Sequence, residues 1–324
     1  MSAGSPNSGF EYHETIDAAS AGLTVLDHLV RRYRHSSAAD WLDRLHLGRV
    51  LLDGNPAEAV ARLRRGQVLV WRRPPWVEPE APLSWALVHR DRSLLGVVKP
   101  AGLPTLPGGG FLERSLLALV RRRFREAVPV HRLDRGASGV VLFARTAESR
   151  ARLSEAFRSG RIDKDYRALV EGGPPQDELD IDEPIGRVPH PVHGVLRATV
   201  PAGDPGARPA RSVVRVLERR PGCSLVAVRP LTGRPHQIRI HLAAAGHPLV
   251  GEPVYAPGGQ PRPDGGRPGD AGYLLHAERL RFRHPETGEI VAIESPPPAA
   301  LRPTEPVRRS VDTRIPGRSI IPLL

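Results

Sequence analysis

Ten consecutive residues, Val130-His131-Arg132-Leu133-Asp134-Arg135-Gly136-Ala137-Ser138-Gly139, gather a carboxylate, two flanking arginines and two glycines directly ahead of the apolar run Val140 to Ala144. An Asp beside two guanidinium groups is held ionised, and glycines on a loop entering a strand let the backbone approach a bound molecule closely. The same stretch also reads as a surface Asp–Arg pair capping a strand. A second cluster, Arg161 to Val170, places Tyr166 on the strand face shared with Lys164 and Ala168. A tyrosine in a strand also serves simply as core. The third cluster, Leu231 to Leu242, puts Arg234 and His236 where a Gly turn meets a helix N-terminus, a geometry suited to an anion and equally to helix capping.

Other chemistries lack their residues. Lys99 and Lys164 are the only lysines and neither follows a glycine, so there is no Walker-type phosphate loop; no G-x-G-x-x-G follows a strand. The pairs His190/His193 and His236/His241 do not take the H-E-x-x-H form, and a spacing of five does not put two rings on one helical face. No metal and no cofactor are expected. G-x-S-x-G is also absent. The single cysteine, Cys223, excludes an internal disulfide framework and a Cys-cluster zinc site, and points to a reducing compartment.

The elements that must position these clusters are readable over most of the 324 residues. Residues 1–20 are small and polar and read as a flexible lead. Leu26, Leu29, Val30 and Tyr33 lie on one face of a basic helix, Trp41, Leu42 and Leu45 mark a second, and Val50 to Leu52 and Gln67 to Trp71 read as strands. Residues 21–80 thus form a small helix and strand module, closed by the Pro- and Glu-bearing stretch 74–82, which reads as a linker. Residues 81–300 form the larger domain. Leu94 to Lys99, Gly139 to Arg145, Asp165 to Val170, Val213 to Val216 and Leu225 to Val228 read as strands. Leu112 to Arg123, a segment capped by Thr146, and His236 to Ala245 read as helices. Strands and helices do not alternate regularly, so the expected class is α+β, with a mixed, mainly antiparallel sheet and flanking helices. The Gly/Pro-rich insertion 256–272 and the Pro/Arg-rich tail 301–324 have no hydrophobic pattern.

Formal charge is +12, and 45 of the 47 basic residues are arginine. Such an excess favours a polyanion, nucleic acid before a membrane surface. No apolar run approaches the roughly 18 residues of a membrane span, and the first residues lack a basic segment followed by an apolar core; the expectation is a cytoplasmic protein that does not engage a membrane.

Together the clusters resemble the RluA-type pseudouridine synthases. The matching elements are Lys99-Pro100-Ala101-Gly102-Leu103, His131-Arg132-Leu133-Asp134 with Gly136 and Ser138-Gly139, and Lys164-x-Tyr166-x-Ala168-x-Val170-x-Gly172. They continue with Thr232-Gly233-Arg234-x-His236-Gln237-Ile238-Arg239-x-His241-Leu242, Gly246-His247-Pro248, Leu275-His276-Ala277 and His284-Pro285, covering about 85–295. Residues 21–80 resemble, more weakly, the small RNA-binding module that precedes the catalytic domain in many members. Two positions depart from the pattern: Leu106 stands where a His is common, and Glu252 where an Asp follows the glycine.

The resemblance implies an RNA isomerase that needs no cofactor or metal and takes its uridine out of the stack. It assigns catalysis to Asp134, Tyr166 and Arg234, with Arg234 pairing to Asp134 and Tyr166 stacked on the uracil. RNA contacts fall to Arg132, His131, Arg135, Lys164, His236 and Arg239. Ribosomal RNA is the favoured substrate, transfer RNA the alternative, and monomer the default state. The competing reading from another class is a catalytically silent RNA-binding or ribosome-assembly protein, against which an intact Asp134, Tyr166 and Arg234 argue.

Overall fold

The run Val140 to Ala144 is apolar without alternation because the strand it forms has no solvent face. In the structure, a computed structural model describing residues 5–304 except 34 and 268, Val141 and Phe143 enter one core with Leu95, Val97 and Val226. Val140 and Leu142 enter another with Leu94, Leu280 and Phe282. The chain divides into two units, Met1–Pro79 and Glu80–Leu324. Most of the expected Pro/Arg-rich tail, from 305 onward, lies outside the described residues.

In the first unit the leading residues are not a loose lead. Phe10–Thr15 is a strand, β1, paired along its whole length with a later strand. Helices α1 (Val25–Arg32) and α2 (Ala38–His46) follow, the second begun by a capping box between Ser37 and Asp40. Strands β2 (Val50–Leu52), β3 (Asn55–Pro56) and β4 (Val68–Arg73) complete a sheet of order β1-β4-β2-β3. Leu29, Trp41, Leu45 and Trp71 fill its core. The stretch expected as a linker folds back on the same unit: Asn7 Nδ2 donates to Glu78 at 2.9 Å, and the Asn7 amide to the Trp76 carbonyl at 3.0 Å.

The second unit is the expected α+β domain. Its early elements are β5 (Ala86–Arg90), β6 (Leu94–Lys99), α3 (Leu116–Arg121), β7 (Val128–Pro129), β8 (Ser138–Ala144) and α4 (Ala147–Arg158). Helix α3 is shorter than its apolar pattern because Ser115 caps it through the Ala118 amide. Strands β9 (Asp163–Glu171) to β14 follow: β10 (Glu178–Ile181), β11 (Ile185–His190), β12 (Gly194–Thr199), β13 (Ser212–Arg220) and β14 (Cys223–Pro230). Helix α5 (Gln237–Ala244) and strands β15 (Leu275–Arg283) and β16 (Ile290–Glu294) come last.

The main sheet runs β10-β13-β14-β9-β15-β8-β6-β5, with β7 on β8 and β16 on β15. Its only parallel pair among the described strands is β15 with β8; the other neighbours are antiparallel. Strands β11 and β12 form a separate hairpin. The insertion 256–272 carries no helix or strand among its described residues, yet it is tied down. Gly258 N–H donates to Ala243 O, and Gln260 Nε2 to Thr199 O.

One register matters for the site. Tyr166 on β9 lies opposite Ala277 on β15, which lies opposite Gly139 on β8, so the tyrosine is level with the start of the strand that follows Asp134. The β15–β8 contact is closed by the absence of a side chain. A Cβ on Gly139, at φ +114°, would come within 2.2 Å of Ala277 O and 2.6 Å of its N. We expect Gly139→Ala to lower stability by about 3 kcal/mol or more, read as a shift of the urea midpoint. An unchanged midpoint would mean that the two strands separate there without cost.

Candidate active site

Asp134 opens a turn, with its carbonyl accepting from Ala137 N–H at 3.1 Å, and the backbone on both of its sides is fastened. Thr105 Oγ1 donates to the Leu133 carbonyl at 2.7 Å and accepts from the Leu133 amide at 3.2 Å. The Arg135 carbonyl accepts from Gly102 N–H at 2.7 Å and from Lys99 Nζ at 3.2 Å. Lys99 is 0% exposed and also donates to the Leu103 and Pro100 carbonyls, at 2.7 and 3.0 Å. Burial pushes its ammonium down to about 7, against the pull of Asp134. The Lys99-Pro100-Ala101-Gly102-Leu103 segment is therefore the bracket for the Asp134 turn.

The arginine at Asp134 is Arg239. Its Nη1 lies 3.5 Å from Asp134 Oδ2, while Nε and Nη2 make a two-pronged bond to Glu252 at 2.8 and 2.5 Å. Arg239 is 1% exposed and the Glu252 side chain is fully buried. Tyr273 and Tyr255 lie close to the guanidinium, with ring centroids 4.4 and 5.3 Å from its carbon. Burial weighs most heavily against the charge on Arg239, but the hydrogen bonds to Glu252 and the negative charges around it together outweigh burial and raise the guanidinium above its ordinary value. His236, in the left-handed region at φ 57°, turns Nε2 to within 3.8 Å of Asp134 Oδ2 and shares a 2.7 Å hydrogen bond with the Tyr255 hydroxyl through Nδ1. Desolvation keeps that imidazole below its ordinary value.

The expected pairing of Arg234 with Asp134 is not what the structure shows. Helix α5 begins only at Gln237, so Arg234 precedes it, and its Nε donates to the Pro209 carbonyl at 2.9 Å. Arg239, in the first turn, points inward instead. Its burial also removes Arg239 from the expected RNA contacts. Lys164 leaves that set for a similar reason: it is buried and donates from Nζ to the Thr232 carbonyl at 3.0 Å, bracing the turn before α5.

His131 is engaged within the fold. Its ring stacks on Phe157 at 4.4 Å, and its Nε2 accepts the Leu142 amide at 3.0 Å. Arg135 is half-buried, with its guanidinium 5.4 Å from the Phe111 ring centre. Arg132 is exposed, at the rim of a cleft of about 300 Å³ floored by Leu106, Leu117 and Val130. Tyr166 is partly exposed. Burial first and the Asp134 charge second push its phenol well up, so it is neutral.

Glu252, Tyr255 and Tyr273 are the members of this centre that the sequence reading did not assign. The Gly251-Glu252 pair was visible as a departure from the expected Asp; nothing local marks the two tyrosines. Among the described residues no group of three or more His, Cys, Asp or Glu could hold a metal ion, and no helix is long and apolar enough to cross a membrane.

Residues 93–244, which hold Asp134, Tyr166 and Arg239, match the family model of RNA pseudouridylate synthases. An RNA pseudouridine synthase of Synechocystis is 38% identical over 86% of this chain and 96% of its own. RNA pseudouridine synthase 5 of Arabidopsis thaliana is 36% identical over 91% and 95%. The chain belongs to the RNA pseudouridine synthases, enzymes that are isomerases. Within them it is of the RluA type: the ribosomal large subunit pseudouridine synthase D of Neisseria meningitidis is 34% identical over 85% of this chain and 75% of its own. The solved human RNA pseudouridylate synthase domain containing 1 shares the fold, at TM-score 0.52 and 28% identity, over 69% of this chain and 89% of its own.

The His131 environment has a consequence for acid stability. Desolvation, with Lys164 adding to it, pushes the folded imidazole down to about 3 from an ordinary 6.5. Above pH 6.5 both states are neutral and the contribution is complete. As pH falls from 6.5 toward 3, the unfolded chain takes up a proton that the folded one refuses, and stability is lost. His131→Gln should flatten the fall of the urea midpoint between pH 7 and pH 4.5; an identical slope in both proteins would contradict this assignment.

Proposed function

We propose that this enzyme isomerises a uridine in ribosomal RNA, with Asp134 as the working carboxylate on a nucleotide flipped out of its stack. The observation that carries the reading is the pairing of an immobilised Asp134 turn with a buried, permanently charged Arg239, on a register that brings Tyr166 alongside. The net reaction breaks the bond from ribose C1′ to N1 of uracil and makes one from C1′ to C5; the C5 proton is lost and N1 gains one. The carboxylate acts on the anomeric carbon, on the neighbouring sugar position or on the base, and in each case it must be ionised and aimed. Arg239, with Nη1 3.5 Å from Asp134 Oδ2, does the aiming. A uridine inside a helix cannot present these atoms, which is the argument for flipping.

Tyr166 packs against the uracil and is the candidate for accepting the C5 proton. In the resting site it cannot do so, because burial and the negative charge of Asp134 hold the phenol neutral. A covalent bond to Asp134 would cancel that charge and remove one of the two causes, so the tyrosine would become more acidic at the stage where a base is wanted. Arg132, exposed beside the turn, is placed for phosphate or for the space the base leaves. For the first unit, the exposed Arg31, Arg32, Arg64 and Arg65 support a role in holding RNA. Ribosomal RNA is preferred because the Neisseria relative is named for the ribosomal large subunit.

Release of tritium from RNA labelled at uracil C5 tests the reading, with ribosomal and transfer RNA as separate substrates. We expect release from ribosomal RNA, its abolition in Asp134→Asn with RNA affinity kept within about threefold, and severe reduction in Tyr166→Phe with binding intact. Turnover by Asp134→Asn would remove Asp134 from the mechanism, and release from transfer RNA alone would replace the substrate.

A further inference from the structure

Tyr273 has no part in the chemistry described so far, yet its placement is specific. Its hydroxyl is buried and has no hydrogen-bond partner among the described residues, a cost that phenylalanine in the same place would not carry. The ring is wedged between the two halves of the charged centre. Its Cε1 and Cζ lie so close to Gly136 that a Cβ there would meet them at 2.6 and 2.7 Å, and the Arg239 guanidinium carbon is 4.4 Å from the ring centre. The hydroxyl end of the ring is thus the end set against the Asp134 turn, and the carboxylate's charge adds to burial in holding the phenol protonated. A neutral phenol beside a carboxylate is a hydrogen-bond donor.

The bond it could complete is the loose one. Arg239 Nη1 stands 3.5 Å from Asp134 Oδ2, whereas a charge-assisted contact closes to about 2.7–2.9 Å, so Asp134 is guided by Arg239 without being locked to it. We propose that Tyr273 is a positioning residue for the isomerisation: its hydroxyl becomes the donor to Asp134 when the carboxylate turns from Arg239 toward the nucleotide, and its ring sets the gap between turn and guanidinium. The proposal rests on Asp134 being the working carboxylate. It also explains why the Asp134 turn carries a residue without a side chain at Gly136.

Tyr273→Phe keeps the ring and removes the donor. We expect kcat for tritium release to fall about ten- to a hundredfold, the loss expected for one hydrogen bond to a charged group, with KM for RNA within about twofold and Tm unchanged or raised. A purely structural tyrosine would not lower kcat while leaving Tm intact. Gly136→Ala, which drives a methyl into the ring, should lower kcat and Tm together. Unchanged kcat in Tyr273→Phe overturns the proposal, and so does a loss confined to KM, which would make Tyr273 an RNA contact. Wild-type protein assayed alongside separates the two levels: wild type that releases no tritium from any RNA overturns the functional reading and this proposal with it, whereas active wild type with an equally active Tyr273→Phe overturns this proposal alone.

Discussion

The centre is built around a guanidinium buried away from bulk solvent. A buried positive charge is tolerable only if anions and oriented groups replace its hydration, and breaking such a pair from one side leaves an uncompensated charge worth several kcal/mol. Arg239 meets this with Glu252 along one edge, Asp134 at the remaining nitrogen and two aromatic rings close by. Much of the surrounding chain follows. Glu252 must itself be fixed, and Val254 and Tyr255 amides donate to it at 3.0 and 3.4 Å. Gly251 must be a glycine, at φ +79°, since a Cβ would reach the Gly272 carbonyl at 2.4 Å. Helix α5 is anchored by its third residue as much as by its apolar face.

Against that fixed cation, the Asp134 turn is held through its own backbone groups. Thr105 grips the backbone of Leu133, and Lys99 with Gly102 grips the carbonyl of Arg135, so the residues on either side of Asp134 are fastened. The sheet supplies the third coordinate, because Gly139 lets β15 close on β8 and so fixes where Tyr166 stands.

Asp134 and Tyr166, the residues proposed for the chemistry, stand out in the sequence through motifs whose order and spacing resemble a known family; taken alone, each local pattern also reads as a capping pair or a core tyrosine. The sheet class was legible too, from apolar runs too short for helices. The arginine was misplaced because its identity turns on where α5 begins: a start at His236 or Gln237 decides which guanidinium faces inward, and no residue type marks that boundary when His236 adopts a left-handed conformation. Glu252, Tyr255 and Tyr273 reach Arg239 across the fold, and long-range contacts leave no periodic trace. Strand β1 was read as a loose lead because FEYHET is polar and mostly exposed; its evidence is pairing with β4, which composition does not record. His131, Lys164 and Arg239 read as RNA contacts because a basic residue beside a motif suggests an anion, yet each spends its nitrogen inside the protein.

Both lysines of the chain, Lys99 and Lys164, are buried with their ammonium groups on backbone carbonyls. Every other basic side chain, histidine aside, is arginine. The protein therefore offers its surroundings no side-chain amine. Acetylation and ubiquitin attachment find no lysine handle on the folded molecule, and amine-directed cross-linking or labelling finds no exposed side-chain amine to report on.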